Sequence, residues 1–256
     1  MAAVVSIRDI AVRFGGIVAL EGVSFDIEAE RIVGLIGPNG AGKTTLFNCL
    51  SRLYTPTSGD ILLNGRSLLD RPAHSIAALG IGRTFQNLAL FRKLTVADNV
   101  RIGGHTEISG DFISDALRLP RARAGARELD RRVAEIIDDL SLGDCAGRLV
   151  GDLPFGTQKR VELARALATN PSVLLLDEPA AGLNHEEVGE LGALIRRIRD
   201  SRRIAILLVE HHMGLVMSLS DRVVALNFGR KIAEGAPADV QSDKAVVAAY
   251  LGTVES

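Results

Sequence analysis

Nine consecutive residues, Gly37-Pro38-Asn39-Gly40-Ala41-Gly42-Lys43-Thr44-Thr45, have the types and spacing to hold a polyphosphate. They satisfy G-x-x-x-x-G-K-[ST], a pattern whose mechanism is a cradle of backbone N–H groups. Glycines at 37, 40 and 42 let the main chain curl round an anion and turn its N–H groups inward, where side chains would obstruct. A helix starting near Gly42 adds the partial positive charge of its N-terminus. Lys43 then reaches the β- and γ-phosphates, and the Thr44 hydroxyl is placed to ligate Mg²⁺.

A second group of residues suits hydrolysis. Val173-Leu174-Leu175-Leu176 is apolar and runs straight into Asp177-Glu178, so two carboxylates stand at the carboxyl end of a buried strand. In an open α/β sheet that edge is where ligands bind. Asp177 is expected to hold Mg²⁺, mainly through water, and Glu178 to orient and deprotonate the attacking water. Gln86, in Arg83-Thr84-Phe85-Gln86-Asn87, follows a short strand at the join of two inferred lobes, where an amide could touch Mg²⁺ or water. His211 stands just beyond another apolar run, Ile204 to Val209, and could either hydrogen-bond a γ-phosphate or serve structurally.

The elements that position these groups read as α/β. Ile32-Val33-Gly34-Leu35-Ile36 is a short apolar run suited to a buried parallel strand, and Leu46, Phe47 and Leu50 recur at helical spacing after the phosphate loop. Before it, Ile7, Val12 and Phe14 lie in a strand-like stretch, and Val23, Phe25 and Ile27 follow with period two. Gly59 to Gly65 reads as a strand ending in an Asn-Gly turn, a helix is expected after Pro72, and Ile81 to Phe85 as a short strand. From Asn87 to Gly151 strand signals vanish, and Thr95 to Val100 and Glu128 to Leu140 read as helices. Residues 87–151 are therefore expected to form a helical subdomain, with 1–86 and 152–256 forming the rest of one domain. Within it Arg118, Arg121, Arg123, Arg127, Arg131 and Arg132 make a basic run, read as a solvated helix face or as a contact for acidic headgroups. The α/β pattern resumes with helices over Val161–Leu167 and Glu186–Asp200, a hairpin around Phe228-Gly229, and a last helix carrying Val246, Val247 and Tyr250.

Bulk composition narrows the classes. Hydrophobic residues make up 47% of 256, enough for a substantial core. Trp is absent and aromatics are 4%, against a stacking platform for single strands; a net charge of -1 gives no general attraction to nucleic acid. Cys49 and Cys145 are isolated, without metal spacing, and read as small buried residues of a reduced compartment. No signal peptide is read, and no apolar run approaches the about 20 residues of a membrane helix, so a partner would supply any spanning part.

Together the phosphate loop, Gln86, Leu153-Pro154-Phe155-Gly156-Thr157-Gln158-Lys159-Arg160, Val173 to Glu178, Ala181-Gly182-Leu183-Asn184 and His211 resemble, in order and spacing, an ATP-binding cassette protein. Arg83 to Asn87, Asp177 to Asn184 and the ending Ala249-Tyr250-Leu251-Gly252 look like the ATP-binding subunit of branched-chain amino-acid importers. The resemblance implies a P-loop NTPase (RecA-like) core, an N-terminal antiparallel β subdomain and a helical subdomain. It implies an ATPase using ATP and Mg²⁺, peripheral on the cytoplasmic face of the inner membrane. It also implies Phe14 as the aromatic that stacks on adenine, His211 as a γ-phosphate switch and Gln86 as a sensor coupled to the permease. Implied partners are transmembrane permease subunits, a second ATPase subunit and, indirectly, a periplasmic or extracellular substrate-binding protein, with no nucleic acid. Cassettes for urea or lipopolysaccharide share nearly all these motifs, and soluble non-transport cassettes are a further alternative. Two departures stand out. Pro154, Phe155 and Thr157 replace the Ser, first Gly and Gln of the family's Leu-Ser-Gly-Gly-Gln, while Gly156 is kept, and Asn184 replaces an Asp. Both fall on the signature and dimer-interface residues, and they point to a paralogous partner cassette.

Overall fold

A computed structural model describes residues 3–84, 88–107 and 120–251. Phe85, Gln86, Asn87, Arg118 and Gly252 lie outside the described residues. The chain divides into two units, Met1–Ile76 with Leu175–Ser256, and Ala77–Leu174.

The first unit contains two sheets. In one, β1 (Ala3–Phe14) pairs antiparallel with β2 (Ile17–Glu28) on one side and β4 (Ser58–Leu63) on the other, and β5 (Arg66–Ser67) extends β4. Its core positions change parity along each strand. Val5 and Ile7 are buried, then Ile10 and Val12; Leu20 is buried, then Val23, Phe25 and Ile27. The register of β1 shifts between Ile7 and Ile10, where Asp9 takes φ 51°, and Gly22 opposite takes φ 67°. An extra residue in a bulge turns the following side chains to the other face, which keeps both halves of the strand on the core.

The second sheet places the chemistry. β3 (Ile32–Ile36) lies between β8 (Ala205–Val209) and β9 (Arg222–Asn227), parallel to both, with Val33 opposite Leu207 and Arg222. β7 (Val173–Asp177), of which this unit includes the part from Leu175 on, follows β8 in the order, and β10 (Arg230–Gly235) pairs antiparallel with β9. Every residue of β3, β7 and β8 is buried, as expected of strands covered on both faces. The helices of this unit are α1 (Lys43–Leu50), α5 (His185–Arg202), α6 (Met213–Leu219), α7 (Pro237–Ser242) and α8 (Lys244–Leu251). Ile36, Val216, Val223, Ala225, Val240 and Val246 form one buried cluster, with Tyr250 packed on it.

The second unit is mainly helical. After β6 (Ile81–Arg83) come α2 (Val96–Gly103), α3 (Pro120–Asp139) and α4 (Phe155–Leu167). Leu129, Val133, Ile136 and Ile137 bury one face of α3 at helical spacing, and Leu140 continues it. On its exposed side Arg131 pairs with Glu128 and Glu135, each at 2.6 Å, so part of the basic run is an ion-paired helix face. Asn99 of α2 is fully buried yet satisfied: Phe91 N–H donates to its Oδ1 at 2.9 Å, and its amide donates to the carbonyls of Phe91 and Thr95. After Pro72 there is only a 3-10 turn, Ala73–Ser75, where a helix was expected. Among the described residues no helix is long and apolar enough to cross a membrane.

Close approach of α2 and α4 depends on Gly103. A Cβ there would fall on the Arg165 carbonyl oxygen, a backbone atom of α4 that cannot swing aside. Gly103→Ala is expected to lower unfolding stability by about 1–3 kcal/mol, the scale of overpacking, in a urea titration followed by circular dichroism. An unchanged midpoint would mean that the helices separate without cost.

Candidate active site

The loop between β3 and α1 owes its shape to two glycines with no room for a side chain. At Gly37, φ 152°, a Cβ would strike the Leu226 carbonyl oxygen; at Gly42, φ 99°, it would meet the Ala19 carbonyl oxygen and Leu20 at 2.7 Å. Gly40, φ 78°, faces open space and is required by conformation alone. Gly229, in the turn between β9 and β10, donates its N–H to the Ala41 carbonyl at 3.0 Å and fixes the loop from outside. Gly42 caps α1 without a side-chain bond. Asn39, Gly40 and Thr44 are exposed, Thr45 is half-buried, and Pro38 and Ala41 are buried.

Lys43 is buried and curls back on the loop, its Nζ donating to the carbonyls of Gly37 at 2.6 Å and Pro38 at 3.0 Å. Burial pulls its ammonium below the ordinary lysine range, while the carboxylates of Glu178 and Asp177 act in the opposite direction. That influence puts both acids within electrostatic reach of the lysine, although 134 positions of sequence separate Lys43 from Asp177. Asp177 ends β7, 4% exposed. Glu178 leaves the strand with φ 45°, its N–H donating to the Val209 carbonyl at 2.9 Å, which ties the ends of β7 and β8 together. The carboxylate of Glu178 lies 2.9 Å from His211 Nε2. Lys43, Asp177, Glu178 and His211 thus meet at one edge of one sheet. Oxygen donors of this kind, one buried carboxylate and one exposed hydroxyl at Thr44, suit a hard cation that takes its other ligands from phosphate and water.

Phe14, at the end of β1, is half exposed and meets Tyr54 edge to face, with ring centroids 5.3 Å apart at 73°. Tyr250 of α8 is partly buried against the cluster containing Ile36; burial pushes its phenol up, and a backbone hydrogen bond from Gly37 opposes this.

Comparison with known proteins sets this geometry in context. Residues 20–181 match the family model described as ABC transporter. The chain belongs to this family. Residues 230–256 of the cassette also match the model described as Branched-chain amino acid ATP-binding cassette transporter. It is 41% identical over 249 residues to the High-affinity branched-chain amino acid transport ATP-binding protein BraF of Pseudomonas aeruginosa, covering 97% of this chain and 98% of that one. To LivG of Escherichia coli (strain K12), which carries the same description, it is 42% identical over 247 residues, with 96% and 97% covered. The solved ADP conformation of MJ1267, an ATP-binding cassette of an ABC transporter, superposes with a TM-score of 0.85 at 27% identity, covering 98% and 100%.

In the cassette's second unit, the segment carrying the altered signature begins α4. Pro154 is the N-cap, with no side-chain bond to the helix, and Phe155 opens the first turn, 46% exposed. Lys159 Nζ lies 5.7 Å from the Phe155 ring centroid, and Gln158 donates to the Leu153 carbonyl at 2.8 Å. Gly156 and Thr157 are half-buried. In the first unit, Asn184 is the N-cap of α5. Its Oδ1 accepts from Glu187 N–H at 3.0 Å, and Glu187 accepts from Asn184 N–H at 2.9 Å, a reciprocal capping box. The Asn-x-x-Glu spacing carries that signal in the sequence, where Asn184 is read only as a departure from Asp. Tyr54 and Glu210 escape sequence reasoning because Phe14 and Ala180, which they meet, are distant in the chain. Cys49 is fully buried, which pushes its thiol up to about 11, and Cys145 is half-buried.

The cap gives Asn184 a structural effect apart from any contact with another subunit. Asn184→Ala is expected to lower unfolding stability by about 1 kcal/mol, whereas Asn184→Asp, which can also accept from N3, stays near the wild type. Equal midpoints for the Ala variant and the wild type in urea melts would rule the cap out as a stabiliser.

Proposed function

We propose that this cassette is the ATP-binding and ATP-hydrolysing subunit of an importer for branched-chain amino acids. The observation that carries the hydrolytic reading is the Glu178–His211 pair at 2.9 Å beside the buried Lys43. The phosphate loop, Gly37 to Thr45, surrounds the β- and γ-phosphates with backbone donors, and Lys43 exchanges its bonds to two neutral carbonyls for bonds to anionic oxygens. Thr44 and Asp177 would hold Mg²⁺, which supplies charge neutralisation at the phosphates when bound. Glu178 accepts the proton of the attacking water, and His211 orients that carboxylate and donates toward the γ-phosphate. Phe14, backed by Tyr54, offers an aromatic face to adenine. Gln86 remains a proposed sensor coupled to the permease.

The substrate reading is supported by the relatives' descriptions and by the match over residues 230–256. The cassette works at the cytoplasmic face of the inner membrane, bound to permease subunits that contribute the spanning helices. A substrate-binding protein delivers the amino acid to them. The proposed helical subdomain, residues 87–151, lies within the second unit, Ala77–Leu174, and 1–86 with 152–256 are proposed as the β subdomain and core.

In a head-to-tail pair each signature completes the site on the other subunit. Pro154 leaves this chain's signature without a hydroxyl donor at the position of the family's Ser, so a paralogous cassette with a fuller signature is the expected partner. A transporter purified through a tag on this chain is expected to contain a second, different cassette at equal stoichiometry by native mass spectrometry. A fully active transporter with two copies of this chain would rule that pairing out.

Two substitutions separate binding from chemistry. Glu178→Gln is expected to keep ATP binding and slow turnover by about a hundredfold or more in the assembled transporter, the scale of a lost general base. Lys43→Ala is expected to weaken ATP binding itself by about tenfold or more in a fluorescent-nucleotide titration, because a charge-assisted contact disappears. Near-normal phosphate release by the first variant, or unchanged affinity in the second, contradicts the role assigned.

A further inference from the structure

The two catalytic groups proposed above stand on different loops, one leaving β7 and one leaving β8, and a single buried side chain joins them. Glu210, 3% exposed, follows β8 and immediately precedes His211. Its Oε1 accepts from the Ala180 N–H at 2.6 Å, two residues beyond Glu178. Its Oε2 accepts from the N–H of His211 at 3.0 Å and of His212 at 3.3 Å. The turn is fixed further by His212, whose Nδ1 accepts from Leu215 N–H at 3.1 Å and caps α6.

We infer that Glu210 is a positioning residue for ATP hydrolysis, a clamp that sets the loop after Glu178 and the turn bearing His211 in fixed register. The inference rests on the roles given to Glu178 and His211 under the proposed function. Three backbone donors from two loops converge on two oxygens, and a carboxylate is the side-chain group that offers acceptors on both. An amide of the same shape cannot do this. If its NH₂ takes the Oε1 position it faces the Ala180 N–H; if it takes the Oε2 position it faces the N–H groups of His211 and His212. Either way a donor confronts a donor, one of the two loops is released, and at 3% exposure little water can replace the missing acceptor. The group most directly affected is the His211 imidazole, whose Nε2 must stay within hydrogen-bond reach of Glu178. Small displacements of positioned groups act on rate more than on binding.

Glu210→Gln tests this in the full chain and in the assembled transporter. The expected result is a fall in kcat of about tenfold or more, with KM for ATP and the affinity for a fluorescent nucleotide within about threefold of wild type and a thermal midpoint within a few degrees. In a His211→Ala background the same change is expected to cost clearly less than in the wild type, since the group it positions is gone. The inference is overturned by a kcat within about twofold of wild type, by losses of affinity and thermal midpoint that accompany the fall in rate, or by effects of Glu210→Gln and His211→Ala that simply multiply. Glu178→Gln in the same assay separates the two levels. Turnover surviving Glu178→Gln overturns the site assignment and this inference together; turnover lost there but kept in Glu210→Gln overturns this inference alone.

Discussion

The parallel pairing of β3 with β8 and β9 is the constraint on which the site depends. Strands so thoroughly buried can hold no polar group along their length without a partner, so the polar residues that follow them collect at their ends. Because β3 and β8 run in the same direction, the phosphate loop and His211 emerge at one edge. The bond from Glu178 N–H to the Val209 carbonyl adds the end of β7 to that edge. A ligand bound there meets donors, a cation, two carboxylates and an imidazole, none of which had to be carried far on a flexible loop.

Burial gives the lysine its character. Lys43, buried, donates to the carbonyls of Gly37 and Pro38. Neutral carbonyls are weaker partners than phosphate oxygens, which leaves the lysine satisfied and still able to change partners. The same loop is supported from three directions: by Gly229 at Ala41, by the close packing of Leu226 on Gly37, and by Tyr250 at the start of the loop. The residues matched to the branched-chain cassette model, 230–256, therefore include one that touches the phosphate loop.

What could be read from the sequence followed the range of the interactions involved. The runs Ile32 to Ile36, Val173 to Leu176 and Ile204 to Val209 are apolar throughout because both faces of those strands are covered, and they announce themselves. The loop pattern from Gly37 to Thr45 is equally local. The N-terminal strands were less clear, because bulges at Asp9 and Gly22 reverse the alternation that marks a half-buried strand. The turn after Pro72 lacks the length for a helix although its residues permit one. The acceptor role of Glu210 is invisible in sequence, because its first partner is a backbone N–H thirty residues away and any residue but proline supplies one. Tyr54 escapes for a similar reason: its contact with Phe14 exists only once β1 has been folded beside the end of α1. Gln86, the one candidate outside the described residues, is known only as a position in the chain.

Glu178 is held at φ 45°, a left-handed conformation that disfavours a side chain with a Cβ by roughly 1–2 kcal/mol. Glycine would adopt it freely, and asparagine more readily than glutamate, yet neither carries a carboxylate to accept a proton. Heat resistance and turnover therefore ask for different residues at this one position. A thermophilic descendant of this cassette could not relax the strain at its source without dismantling the chemistry proposed there. Its extra stability would have to come from elsewhere, such as helix caps, shorter loops or surface charges remote from the strand edge.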